Sequence, residues 1–397
     1  MPGEPINFDR RFLSRLFPGL RLVGAIRMAF DLRKLVIAAL GLALLQLGWA
    51  VLDGLFPASA AMTPSISFSV GQICIDSGDQ SWASAGLRRA HERLAEPFWN
   101  LVSPLMALFD PQSDWASLLH AVLAMTWLLL IWAICGCAIC RIAVVRVARL
   151  QQTGLGEALG FALRNLVPLI LTHMIPLGCL AFFATILAGF GALYRLPWFG
   201  SAFAGVLFLI PLCLGLIMTL LAIALAAGWP LGHAAIAAGA EDALDALSRS
   251  FGYLNQRIGS LVALVGFAWV EGIIGVILMD LLAASVLRLT EWGLGLTGPA
   301  TEMAAIFGRA GSPSSPVSAA GHSFWLNVVN TVAHSWPYSF FWTAAALIYL
   351  WLRYDVDGTP WEEIDPPGDP SASQIRPSLS PAAAAPEPPS SSPALSE

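Results

Sequence analysis

Lysine is almost missing from this chain. Lys34 stands alone among 397 residues, and all charged residues together make up only 12%. Soluble proteins carry roughly 25%. A surface so poor in charge excludes an ordinary water-soluble domain. With 57% hydrophobic residues and a mean hydropathy of +0.69, the composition names lipid as the solvent. Outside the N-terminal segment there is no dense basic stripe, so a nucleic-acid partner is not expected. Cysteine is sparse as well. Five of the six lie in apolar runs and only Cys74 lies in a polar region, so no intramolecular disulfide pair is available there. There is no H-E-x-x-H, no G-x-S-x-G and no Walker A sequence. The reading names no catalytic residue, no cofactor and no metal, and it leans away from an enzyme.

Long apolar runs are what the chain does have. They predict an all-α fold: a polytopic transmembrane helix bundle of about six spans with short amphipathic interfacial helices. The spans fall at about 35–56, 117–140, 166–190, 198–229, 259–286 and 334–352. The first is 22 residues long, more than a signal peptide's apolar core of roughly 7–15, so it reads as an anchor despite the cleavage-like Ala58-Ser59-Ala60. Pro168 and Pro176 interrupt the third. The fourth exceeds what a bilayer requires, which predicts tilt or a kink at Pro211, or two helices in place of one, before it ends at Trp229-Pro230.

Around this membrane domain (35–353) lie a basic amphipathic segment at 1–34, outer loops at 57–115 and 287–333, and a tail at 354–397. The first segment carries Arg21, Arg27, Arg33 and Lys34 as interfacial basic residues. They serve either to lie on an anionic leaflet or simply to set topology. Arg27 and Asp31 are spaced for an i,i+4 pair on a short helix restarting after Pro18-Gly19. Residues 83–108 allow a helix inside the first outer loop. Residues 238–257 form an amphipathic helix with Leu244, Leu247, Phe251 and Leu254 on one stripe and an Asp245–Arg249 pair. Nine prolines between Pro366 and Pro393 leave too little apolar surface to fold, so the tail reads as disordered. Its Pro386-Glu387-Pro388-Pro389 is a minimal PxxP through which a protein partner would dock.

Orientation follows from the arginines. With the N-terminus inside and six spans, inner segments hold fifteen of the 21 basic residues. That places both termini on the cytoplasmic side of the membrane. Trp198, Trp229, Trp292, Trp336 and Trp351 fall at predicted boundaries, as interfacial anchors do. Glu157-Ala158-Leu159 with Arg164 aligns with Asp242-Ala243-Leu244 with Arg249. This is a weak repeat of span, short inner helix, span.

Four polar residues inside the spans are the functional candidates. Glu271 lies about 18 Å along the fifth span, near mid-membrane, where an ionisable group is costly. His173 in the third span is its candidate partner if that helix tilts. Asp280 lies closer to the outer interface, and His120 is its candidate partner. Cys135-Gly136-Cys137 and Cys140 lack the histidine or second cysteine pair that zinc requires, and read as small residues in a helix interface. Gly293-Leu294-Gly295-Leu296-Thr297-Gly298 follows a membrane helix, not a strand, so it is no phosphate cradle. Asp355-Val356-Asp357-Gly358 has its glycine at the wrong place for a calcium loop.

Three stretches carry a family resemblance: Phe17-Pro18-Gly19-Leu20-Arg21 with Asp31-Leu32-Arg33-Lys34-Leu35; Asp245 through Tyr253 with Gln256-Arg257; and Tyr354 with Asp357-Gly358-Thr359 and Glu362-Glu363. Together they resemble a family of uncharacterised multi-pass membrane proteins of planctomycete-type bacteria. The middle stretch is loosely similar to the membrane domain of glycerophosphodiester phosphodiesterases. Ile258 departs from the proline expected after Gln-Arg. The resemblance implies a multi-pass fold in a bacterial inner (cytoplasmic) membrane and transfers no activity, and no catalytic phosphodiesterase domain is expected in this chain. Two functions remain open. One is a membrane-embedded binding or scaffold protein contacting lipids or partner proteins. The other is a transporter or permease for a small or lipid-like solute with Glu271 in its pathway.

Overall fold

The computed structural model describes residues 24–56, 82–109, 114–196, 200–239, 242–307 and 315–364. Residues 1–23 with Arg21, Cys74 and the Ala58–Ala60 stretch, Trp198, the loop at 308–314 and the tail from 365 onward lie outside them. Among the described residues there are twelve helices and no strand, so the fold is all-α. They are α1 (Gly24–Ala29), α2 (Leu32–Leu55), α3 (Trp82–Leu108), α4 (Trp115–Arg149), α5 (Leu155–Arg164), α6 (Leu166–Leu193), α7 (Gly200–Val206), α8 (Leu209–Ala238), α9 (Ala243–Gln256), α10 (Ile258–Gly295), α11 (Ala300–Ile306) and α12 (Pro316–Asp357).

Local chemistry sets many of the ends. The side chains of Asp31, Asp114, Asp242 and Ser315 accept from the first-turn amides of α2, α4, α9 and α12. Gly239 and Gly358 end α8 and α12 in the left-handed region, with φ of 110° and 66°, a conformation that costs glycine nothing.

Five helices, α2, α4, α6, α8 and α10, are long and apolar enough to cross a bilayer. The longest helix, α12, is less apolar and yet forms the centre of the bundle. It packs on α2, α4, α8 and α10, and almost every residue from Ser335 to Arg353 is buried. Ser335, Ser339 and Thr343 are fully shielded and hydrogen-bonded. A helix wrapped by other helices does not meet lipid, so it tolerates polar groups that satisfy one another.

Several boundaries differ from the sequence reading. The run 198–229 is not one helix: α7 ends at Val206, and α8 begins at Leu209. Pro211 then falls in the first turn of α8, where its missing N–H costs nothing, so the break precedes the proline. At its other end α8 does not stop at Trp229-Pro230 but continues to Ala238, because Gly228 through Ala238 are buried against neighbouring helices. The helix predicted to end at 140 runs to Arg149. Arg141 lies inside it, buried, donating to the Ala237 carbonyl and lying over the Phe161 ring. Residues 82–108 of the predicted outer loop are one helix packed on α4, α10 and α12. The predicted tail is part of the bundle as far as Ile364, which is buried and accepts from Arg149.

Faces and anchors differ too. Along α9 the buried positions are Ala243, Ala246, Ser250 and Tyr253, while Leu244 is exposed. Small residues let α9 approach α8 closely; Leu244 faces outward, and Leu254 is half-buried against the core. Trp229 and Trp336 are core residues rather than interfacial anchors. Asp31 does not pair with Arg27. It caps α2 and pairs with Arg146 at 2.9 Å. The repeat seen in sequence corresponds to two similar excursions, α4–α5–α6 and α8–α9–α10, each a long helix, a short amphipathic one and a long one.

Contacts between polar and charged side chains clamp the long helices at both ends. The α2–α4 pair is tied by Asp31–Arg146 and by Asp53–His120 at 3.5 Å. From Asp31 to Asp53 the axial rise is about 33 Å. On α10, Arg257 pairs with Asp355 and Asp280 pairs with Arg93. From Arg257 to Asp280 the rise is about 34 Å. Both lengths match a hydrocarbon layer of about 30 Å plus a margin at each face.

Candidate functional site

Helices α8 and α10 each pack along α12 and scarcely touch one another. The gap between them is a cavity of about 490 Å³. Its floor is α12, where Ala344 and Ala345 leave room. Ala226 and Ala227 of α8 and Ala268 of α10 widen it from the sides. Leu231, Leu261 and Ile348 form its walls. Leu94 and Phe98 of α3 cover the end near Phe340. Ile223 and Val265 stand at its lip and are themselves exposed to the surroundings of the bundle. The lining along α10 from Leu261 to Trp269 spans about 12 Å of helix. The lining side chains are apolar apart from the Trp269 indole N–H, which is occupied by His91 Nδ1 at 3.3 Å. The groove is apolar and open on one side to the surroundings of the bundle.

No family model, no curated protein and no solved structure matches the chain.

The sequence candidates do not form the pairs expected of them. Glu271 is buried on α10 beside Gly272 and Gly275, off the groove face. Neither carboxylate oxygen has a hydrogen-bond partner among the described residues. His173 is elsewhere, packed between Trp229 and His233 with ring centroids 4.6 Å and 4.8 Å away. Both imidazoles meet a main-chain carbonyl four residues back, through Nδ1, so the ring proton is on Nδ1. His120 meets Asp53 rather than Asp280, because α2, not α10, lies beside that end of α4. Asp280 instead takes Arg93 of α3, which also donates to the Ala333 carbonyl. Burial pulls Arg93 down to about 10, partly offset by the Glu96 carboxylate.

The interfacial basic residues divide. Arg21 lies outside the described residues and Arg27 is exposed. Arg33 donates to the Thr153 carbonyl and Gln152. Lys34 is not interfacial. It is fully buried and donates to Thr343 on α12 at 3.0 Å. Cys135 packs against Gly41, and Cys140 meets the Trp342 carbonyl at 3.3 Å. No group of three metal-binding side chains occurs among the described residues.

Sequence reasoning missed a second polar cluster. Tyr338 receives Asn100, donates to Glu96 at 3.2 Å and stacks on Trp132 at 5.0 Å. Burial holds the Glu96 carboxyl above the usual carboxylate range. The signal present in sequence was a helix of mixed polarity, residues 83–108, beside the spans. It could not say which face of that helix entered the bundle. Two of the stretches carrying the family resemblance do meet in space: Tyr253 donates to Asp357, and Arg257 pairs with Asp355.

Proposed function

We propose that this chain is a lipid-binding protein of a bacterial inner membrane, crossing it six times with both ends in the cytoplasm, and that it holds one acyl chain of a bilayer lipid in the groove between α8 and α10. The groove carries the reading. It is apolar, it opens toward the hydrocarbon phase, and its length suits a stretch of a single extended chain. The excess of arginine in alternate connections supports the orientation. Five helices are long and apolar enough to cross a bilayer, and α12 is read as the sixth span.

Filling the groove tests the reading. In Ala345→Trp the new indole occupies the floor between α8 and α10. Gently purified wild-type protein should carry about one lipid per chain in native mass spectra, and the variant should lose most of it. Ala227→Trp should do the same from the other wall. Equal lipid occupancy in wild type and in both variants, with unfolding midpoints unchanged, would sink the proposal.

Transport is the second reading, supported by the unpartnered Glu271 carboxyl at membrane depth. Under it, Glu271→Gln inserts normally but loses solute flux in vesicles. Under lipid binding alone, that variant keeps its lipid and is at least as stable as wild type, because an uncompensated buried carboxyl is costly.

A further inference from the structure

Resting on the groove reading, we infer that the lipid held there is zwitterionic, with its phosphate on Arg257 and its ammonium on Asp355 and Asp357. The groove has two ends, and Leu94 of α3 closes one of them against Phe340. A headgroup must therefore sit at the other end, beyond Leu261 of α10 and Ile348 of α12. Arg257 stands one turn before Leu261 on α10. Asp355 stands two turns after Ile348 on α12. The two residues pair with each other, so the helices that make the groove walls also carry the groups at its mouth.

That pair is built to accept more. Arg257 engages Asp355 through Nε at 3.0 Å, and its side chain is 51% exposed. The two terminal guanidinium nitrogens are left to a second acceptor, and a phosphate suits their fork geometry. Asp355 is only partly covered, and Asp357 is exposed apart from the hydrogen bond it receives from Tyr253. Exposed Glu362 and Glu363 follow within two turns of chain. Of the groups at this mouth, Asp355 and Asp357 thus outnumber Arg257. An anionic headgroup would be repelled, whereas a phosphate bearing an ammonium satisfies both signs.

The test uses full-length protein equilibrated in vesicles of equimolar phosphatidylethanolamine and phosphatidylglycerol, then read by native mass spectrometry. Wild type should retain the ethanolamine lipid about tenfold over the glycerol lipid, as a pair of charge-assisted contacts warrants. Asp355→Asn with Asp357→Asn should bring that ratio close to one. Arg257→Gln should lower retention of both lipids about tenfold, and Arg257→Lys should recover part of it. If Ala345→Trp abolishes retention while the ethanolamine preference survives in the double asparagine variant, the groove stands and the headgroup assignment is wrong. A wild-type preference for the glycerol lipid overturns the assignment outright. If Ala345→Trp retains lipid as wild type does, the groove reading itself has failed.

Discussion

Arg93→Ala should cost the folded protein about 3–5 kcal/mol, the range for stranding one partner of a buried ion pair. Arg93 holds α3 to both α10 and α12, through Asp280 and the Ala333 carbonyl. The two side chains are only 15% and 22% exposed, so water replaces little of the lost interaction. The variant leaves the Asp280 carboxylate facing a low-dielectric wall and the Ala333 carbonyl without its donor. Arg93→Met combined with Asp280→Leu removes both charges and should recover most of the loss. Unfolding of micelle-embedded protein in a graded denaturing detergent measures all three. A single variant within about 1 kcal/mol of wild type would mean that the pair is solvated and α3 is only loosely attached. The same measurement bears on the groove, because α3 supplies Leu94 and Phe98 to its closed end.

Gly275→Ala should destabilise by about 3 kcal/mol or more, at the upper end of overpacking effects. A Cβ at Gly275 would overlap the Trp336 ring. That ring has nowhere to go. It is fully buried, stacked on Phe340 with centroids 5.2 Å apart and tilted against Phe30 at 5.4 Å. Close approach of α10 to α12 therefore depends on the absence of a side chain here and at Gly272, where a Cβ would meet Phe340, as small residues allow in membrane bundles. Trp336→Leu makes room at the cost of its own contacts. The double variant should be less damaged than the sum of the two singles, by about 1–3 kcal/mol. Strict additivity would show that the two residues do not meet.

The comparison of Gly275 with Glu271, four residues away on α10, shows where sequence reasoning stops. Glu271 was conspicuous because a carboxyl in an apolar run has a cost that any reader can price. Gly275 was not, because a glycine in an apolar run has no chemical signal until the indole beside it is known. Lys34 shows the same limit from the other side. Beside Arg33 it read as one more interfacial cation, yet Arg33 reaches Gln152 while Lys34 turns into the bundle toward Thr343. Adjacent positions on a helix point about 100° apart, and only the neighbours decide which of them faces inward.

The sequence by itself determined the fold class and where the long apolar runs lie, because the length of an apolar run against the thickness of a bilayer is a local property; six spans were expected, and five helices are apolar enough to cross. It also determined the short helices between α4 and α6 and between α8 and α10, and marked Glu271 as a carboxyl inside a long apolar helix. Tertiary structure alone decided which helix lies at the centre, that α3 enters the bundle, and that His120, His173, Asp280 and Glu271 have partners other than one another, or none among the described residues. It alone decided that α8 and α10 part to leave a groove. In water, the apolar stripe of a helix marks its buried face. In lipid both the buried and the outward faces are apolar, so periodicity no longer tells them apart, and close packing and polar partners settle the arrangement instead.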